Sequence, residues 1–218
     1  YAEAEYRAKR ADGTYLWCRN RVTTIFDSEK RPVHAIGLLS DIDDYKQETA
    51  LLLEKAMRDS LTSLLNRMAL QRQGERRLKK YPGRLNAFLL LDIDRFKEIN
   101  DTQGHSVGDT VLKNVSALLS QHFRSTDVIG RMGGDEFIIL LKDVSYSMDL
   151  YARLENLCSL IGSALEPEAH ISGSIGTAAF PEDGTTFEAL YEKADIALYH
   201  AKLHGRNQYA VYEPGMSM

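Results

Sequence analysis

The stretch Gly133-Gly134-Asp135-Glu136-Phe137, set between two β-prone runs, constrains this chain more than any other feature. Val128 to Met132 precedes it and Phe137 to Leu141 follows, and a Gly-Gly pair between such runs predicts a tight two-residue β-hairpin. A plain turn needs only the glycines. Two acids just ahead of an apolar strand call for a chemical reason, such as a metal ion or a phosphate-handling site.

A second acidic cluster ends another apolar run. Ala87-Phe88-Leu89-Leu90-Leu91 stops at Asp92-Ile93-Asp94, so Asp92 falls at or near a strand's end, able to project into a crevice beside the hairpin. Carboxylates converging from adjacent strands suit a hard divalent cation, with magnesium (or manganese) expected. Taken alone, Asp92 and Asp94 would read as a strand terminus and a helix cap. Arg95-Phe96-Lys97 and the polar string Asn100, Asp101 and His105 go beyond what a mere connection needs, and could turn amides and a cation toward phosphates.

Around these clusters the chain reads in three parts. Tyr6 to Asp43 alternates as strands with turns at Ala11-Asp12-Gly13 and Asp27 to Pro32. Asp44 to Met57 lacks Gly and Pro and is rich in helix formers, with a leucine cluster suited to pairing with another helix. Beyond Asp59, helices and strands alternate. The expected elements are a helix over Thr62 to Lys80, a strand over Asn86 to Ile93 and a helix over Val107 to Phe123. After the hairpin come a helix from Ser147 to Ala164, a strand from His170 to Ala179, a helix from Phe187 to His204 closed by Gly205, and a short strand from Asn207 to Tyr212. This order predicts an α+β sandwich, its helices flanking a mostly antiparallel sheet in the manner of polymerase palms and nucleotide cyclases. Met57, Met68 and Met132 read as packing residues.

With 218 residues, the chain can hold one full domain and a smaller appendage. A formal net charge of -4 supplies no global basic field for nucleic acid or an anionic membrane. Any polyanionic ligand must be met by local Lys and Arg. The two cysteines, Cys18 and Cys158, lack neighbours at metal-ligand spacing, which favours a reducing cytoplasm, and no apolar run reaches the length of a membrane span.

From Asp59 to about Tyr212 the chain resembles the GGDEF family of diguanylate cyclases. The resemblance rests on Asp59 through Arg67, Asp92 through Asp101, Gly104-His105 with Gly108-Asp109, Gly133 through Phe137, Ser174-Ile175-Gly176, and Ala194-Asp195 through Tyr199, Ala201-Lys202 and Gly205-Arg206-Asn207. It implies a palm-like, ferredoxin-like cyclase fold and the condensation of two GTP into cyclic di-GMP, with release of two pyrophosphates, at a site shared between two domains. Asp92, Asp135 and the Ile93 carbonyl would hold the metal, and Asp135 would assist deprotonation of the attacking hydroxyl, with Glu136 next in line. Asn100 and Asp109 would read guanine beside His105. Lys97, Lys202 and Arg206 would meet the triphosphate, helped by the amides of Arg95 and Phe96; Lys202 and Arg206, four apart, are expected on one face of the last helix.

Arg124 and Asp127 stand at the family's inhibitory product site, for which Arg153 is the nearby candidate second arginine. Homodimerisation would be part of the mechanism, with the Tyr45 to Met57 helix as stem. The alternative is a silent GTP-binding or cyclic di-GMP-binding regulatory module. Residues 1–43 resemble the C-terminal part of a PAS sensor domain, 44–58 a linker helix and 59–213 the cyclase domain, while 214–218 is similar to the join that leads to an EAL phosphodiesterase domain.

Overall fold

The computed structural model describes residues 1–144, 148–165 and 171–217, in two compact units, Tyr1–Ala56 and Met57–Met218. In the first unit, β1 (Ala2–Lys9), β2 (Tyr15–Phe26) and β3 (Pro32–Asp41) form an antiparallel sheet in the order β1-β2-β3. The first turn depends on Gly13 at φ 88, which leaves Arg10 N to donate to the Thr14 carbonyl at 2.7 Å. The second is wound around Asp27, whose Oδ1 accepts from Glu29 N and Arg31 N, each at 2.8 Å. Helix α1 (Asp43–Ala56) follows and buries none of its residues; Leu51, Leu52 and Leu53 are all exposed.

The second unit comprises α2 (Arg67–Lys80), β4 (Asn86–Ile93), α3 (Phe96–Gln103), α4 (His105–His122), β5 (Val128–Gly133), β6 (Glu136–Leu141), α5 (Met148–Leu165), β7 (Gly173–Phe180), α6 (Phe187–Leu203) and β8 (Tyr209–Val211). Its sheet runs β5-β6-β4-β7-β8, antiparallel except where β7 meets β8. The centre of this sheet is covered on both faces, which is why β4 and β6 are continuous apolar runs instead of alternating ones. Leu89, Leu91, Phe137, Ile139 and Ile175 pack with Val111, Leu112 and Leu119 of α4 and Leu154 and Leu157 of α5. Phe88, Leu90, Ile138 and Leu140 pack on the other side with Leu70 of α2 and Leu190, Ala194 and Leu198 of α6. Gly176 sets the approach of α6: a Cβ there would lie 1.9 Å from the Ala194 carbonyl oxygen. The backbone of α6 therefore lies against β7 itself.

The structure corrects several expected boundaries. Helix α2 begins at Arg67, not Thr62, because Asp59 Oδ1 captures Thr62 N at 2.9 Å and Thr62 Oγ1 at 2.7 Å, and Ser63 takes φ 60. Asn66 then caps the helix by accepting from Ala69 N at 3.0 Å. The hairpin turn is Gly134-Asp135, since Gly133 still pairs with Glu136 and the register shifts between Arg131 and Gly133. The polar string after Asp94 folds into α3, an element its polar sequence gave no periodic reason to expect. Met68 is 78% exposed on the outer face of α2, so it does not pack, whereas Met132 lies partly buried against the α2/α6 side of the core. The expected helix start at Ser147 and strand start at His170 lie outside the described residues.

Candidate active site

The register of β4 against its neighbours places the first acid. Asp92 is opposite Glu136 of β6 and opposite Ser174 of β7, one residue from the end of β4, and is only 9% exposed. Ile93, the last residue of β4, buries its side chain fully, and its N–H donates to the Asp135 carbonyl at 3.3 Å. The hairpin tip is thus tied to the end of the central strand.

Three acids share this corner. Burial pushes the Asp92 carboxyl up, opposed by Lys202, whose Nζ lies 2.8 Å from Asp92 Oδ1, while the charges of Asp135 and Asp94 push it up further. Glu136, half-buried, is likewise raised by burial first, then by Asp92, Asp135 and Asp195. The Tyr191 hydroxyl is raised by burial and by the charges of Glu136 and Asp195. Asp92 and Glu136 therefore resist ionising together, with Lys202 as the cation that lowers both. Among the described residues, no three acids or imidazoles already gather at metal-ligating distances. The donor set still fits a hard divalent cation, because more carboxylates crowd this strand end than the Lys202 ammonium can neutralise.

Helices α3 and α4 bring Asn100 against Gly108, the residue before Asp109. Gly104, at φ 88, turns the chain between them, and its N–H donates to the Asn100 carbonyl at 3.0 Å. The Asn100 side chain then lies against Gly108, where a Cβ would fall 2.1 Å from its Oδ1. Asn100 is thereby held beside the turn of α4 that bears Asp109, and His105 stands exposed at the start of that helix. Arg95 caps α3 in the left-handed region at φ 57, and Phe96 and Lys97 open its first turn, with Lys97 exposed. Lys202 lies in the last turn of α6, but Arg206 does not share its helix face, contrary to the four-residue spacing. α6 ends at Leu203, Gly205 takes φ 119, and Arg206 and Asn207 follow at φ 64 and 49.

Arg124 and Asp127 occupy a corner between α4 and β5. Arg124 is exposed, whereas the Asp127 carboxylate accepts from Arg124 N at 3.0 Å and Lys142 N at 3.2 Å. The His122 imidazole is pushed down by burial and by Arg153, which brings that arginine of α5 near this corner.

Sequence reasoning missed Arg131. Its Nε and Nη2 donate to the Gly134 carbonyl at 3.0 and 2.7 Å, and its Nη1 meets Asp59 Oδ1 at 3.1 Å. The hairpin turn is thus clamped to the loop that precedes α2, with Arg131 N also donating to the Leu65 carbonyl at 2.9 Å. A cation one residue before Met132-Gly133 in an otherwise apolar strand was the available signal.

The profile of the family described as diguanylate cyclase, GGDEF domain, matches residues 56–208. The chain belongs to the GGDEF family. A PAS fold profile matches residues 1–39. Among curated relatives, the bifunctional diguanylate cyclase/cyclic di-GMP phosphodiesterase MucR of Pseudomonas aeruginosa is 38% identical over 171 residues, covering 76% of this chain and 25% of MucR. The diguanylate cyclase TpbB of the same species is 35% identical over 181 residues, covering 78% of this chain and 41% of TpbB. This GGDEF chain therefore spans well under half the length of either relative. Among solved structures, the coiled coil and GGDEF domain of Caulobacter crescentus DgcB in complex with c-di-GMP superposes with a TM-score of 0.71 at 26% identity, covering 78% of this chain and 93% of that one. The GGDEF domain of TpbB gives 0.62 at 36% identity, covering 72% and 94%. No helix among the described residues is long and apolar enough to cross a membrane.

Proposed function

We propose that this GGDEF chain condenses two GTP into cyclic di-GMP, releasing two pyrophosphates. The observation that carries the reading is the convergence of Asp92, Asp135 and Glu136 at one strand end, with Lys202 bonded into the group. A triphosphate brings negative charge to a corner already acidic, so the reaction needs added positive charge. Asp92, Asp135 and the Ile93 carbonyl would hold magnesium (or manganese), which when bound neutralises charge on the phosphates.

The chain's own groups do the rest. Asn100, packed on Gly108, would supply an amide and the adjacent Asp109 a carboxylate to the guanine edge, a pairing that adenine cannot satisfy. His105 borders that base. Lys97, Lys202 and Arg206 would meet the triphosphate, with the amides of Arg95 and Phe96 cradling its end. Lys202 then changes partner from Asp92 to phosphate as the nucleotide binds. Asp135, at the corner of the turn, would take the proton of the 3'-hydroxyl as it attacks the α-phosphorus of a GTP held by a second copy. Glu136, held opposite Asp92 in the ladder, would support it as a further acid.

One domain reads one guanine, so a homodimer completes the site, and the leucines of α1, exposed in succession, support that helix as its stem. Arg124 and Asp127, with Arg153 close by, would bind the product and restrain turnover. The segments 1–43, 44–58, 59–213 and 214–218 would then serve as part of a sensor, linker, cyclase and exit toward a further domain.

The test is turnover of GTP with magnesium across a range of protein concentrations. Cyclic di-GMP formed with a rate per chain that rises steeply with concentration supports the reading. A dimeric sample that binds GTP and forms no product overturns it in favour of a regulatory GTP-binding module.

A further inference from the structure

Asp94 has the same residue type as Asp92 and stands two positions along, yet its oxygens are taken by two serines and a backbone amide where Asp92 meets a lysine. Its side chain is 5% exposed, and its oxygens are fully engaged. Oδ1 accepts from Ser174 Oγ at 2.7 Å; Oδ2 accepts from Ser172 Oγ at 2.6 Å and from the backbone N–H of Asn207 at 3.1 Å. Its own N–H donates to the Ser172 carbonyl at 2.9 Å. A buried carboxylate with three donors is a fixed point, since each donor would be left without a partner if it moved.

The Asn207 amide is the telling partner, because it lies at the end of a strained segment. Gly205, Arg206 and Asn207 have φ 119, 64 and 49, and for the two residues with side chains that backbone is unfavourable by roughly 1 kcal/mol each. The segment persists because it is pinned at both ends. Arg206 N donates to the Ala201 carbonyl at 3.2 Å, Gln208 Nε2 donates to the same carbonyl at 3.0 Å, and Asp94 holds Asn207 N. Arg206 lies between these pins with its side chain exposed. Its placement relative to Asp92 is therefore set through the short path Asp92-Ile93-Asp94-Asn207-Arg206.

Resting on the assignment of Arg206 to the triphosphate, we propose that Asp94 is a positioning residue. It fixes the left-handed Gly205-Arg206-Asn207 segment so that the guanidinium of Arg206 stands ready for a nucleotide triphosphate in register with the acids of β4. This links two functions in the Asp-Ile-Asp sequence: the first acid faces the reacting phosphates, and the second holds the cation that meets their far end.

Asp94→Asn keeps the shape but turns an amide NH2 against Ser172, Ser174 or the Asn207 N–H, all of which are donors toward it. The expected result is a loss of about tenfold in affinity for 3'-deoxy-GTP, which lacks the attacking hydroxyl and so reports binding alone, and a matching rise in KM for GTP with kcat changed less than about twofold. The magnesium concentration for half-maximal activity stays at the wild-type value, in contrast to Asp92→Asn. Amide hydrogen exchange without nucleotide speeds up at residues 205–208 in particular. In an Arg206→Ala background, Asp94→Asn adds less than about twofold to the loss of affinity.

Unchanged exchange at Asn207, full additivity with Arg206→Ala, or a shift in the magnesium requirement overturns the positioning role. If Asp94→Asn does not fold, Ser172→Ala removes one donor and is expected to weaken 3'-deoxy-GTP binding about threefold; unchanged affinity there also overturns the proposal. A wild-type protein that binds no GTP overturns the reading beneath it, whereas wild-type binding beside unaltered binding in Asp94→Asn overturns the positioning role alone.

Discussion

Lys202 donates to Asp92 across 2.8 Å, from the last turn of α6 to the end of β4, and this ion pair offsets part of the negative charge of the candidate site before any nucleotide arrives. Replacing Lys202 by Ala removes the cation paired with Asp92 and, on the proposed function, a phosphate contact. The expected outcome is a rise of about tenfold or more in KM for GTP, measured by steady-state kinetics, together with a lower magnesium concentration for half-maximal stabilisation against heat, because the ammonium no longer competes for Asp92.

Glu136 holds its proton more tightly in the folded chain than unfolded, because burial and the charges of Asp92, Asp135 and Asp195 all oppose its ionisation. Its effect on stability is therefore neutral below the ordinary carboxylate pKa, and stability falls as pH rises through the raised one. Activity that needs the ionised acid rises over the same interval. Glu136→Gln is expected to raise the metal-free Tm by about 2–4 °C at neutral pH and to flatten its pH dependence, while lowering kcat. Calorimetry at pH 4.5 and pH 7.5 with and without the substitution checks this; a lower Tm at neutral pH would count against the electrostatic account.

Gly108→Ala places a methyl group where the Asn100 side chain now lies, 2.1 Å from its Oδ1. Asn100 must swing away from Asp109. We expect affinity for GTP to drop by about tenfold and the preference for GTP over ATP to shrink, with the Tm lowered by no more than a few degrees. Competition binding of the two nucleotides reads the effect directly.

The Arg131 clamp predicts a different kinetic signature. Arg131→Ala releases the Gly134 carbonyl and Asp59, so the Asp135 corner loses its fixed position while the base and triphosphate contacts stay. kcat is expected to fall about 10- to 100-fold with KM within about threefold of wild type. Asp59→Asn, which weakens the clamp and leaves Arg131 on Gly134, should give a smaller loss in the same direction.

Arg124 and Asp127 separate by the property they affect. Asp127 satisfies the backbone amides of Arg124 and Lys142, so Asp127→Ala costs about 1 kcal/mol of stability and lowers the Tm by about 2–4 °C. Arg124→Ala leaves the Tm unchanged and weakens cyclic di-GMP binding, measured by calorimetry, by at least about tenfold. Equal losses of Tm in both variants would mean that the corner is purely structural.

Much of this architecture was legible because its signals are continuous. Leu89 to Leu91 and Phe137 to Leu141 are apolar without alternation, as strands covered on both faces must be, and α4 showed its helical period. The start of α2 was not legible, because the apolar Leu64-Leu65 reads as a helical face, whereas Asp59 draws Thr62 into a turn and Asn66 caps the helix. Helix α3 is short and mostly polar, with Phe96 and Ile99 alone turned to the core, too few to show as a helical period. The candidate site residues were expected from the family resemblance, which says nothing of their pairings. Nothing in the sequence distinguishes Asp94, with its oxygens on serines and a distant amide, from Asp92 beside a lysine. Arg206 looked like a helix neighbour of Lys202 until Gly205 ended the helix before it.

Because the turn is Gly134-Asp135 and Glu136 already lies in the ladder opposite Asp92, spacing in this loop matters as much as chemistry. Inserting or deleting one residue between Met132 and Glu136 either shifts β6 by one position, sending Glu136 to the opposite face and Phe137 toward Asp92, or forces the extra residue into a bulge that moves Asp135 off its corner. The number of peptide units in this loop therefore sets which side chain faces Asp92, before the identity of its acids can matter.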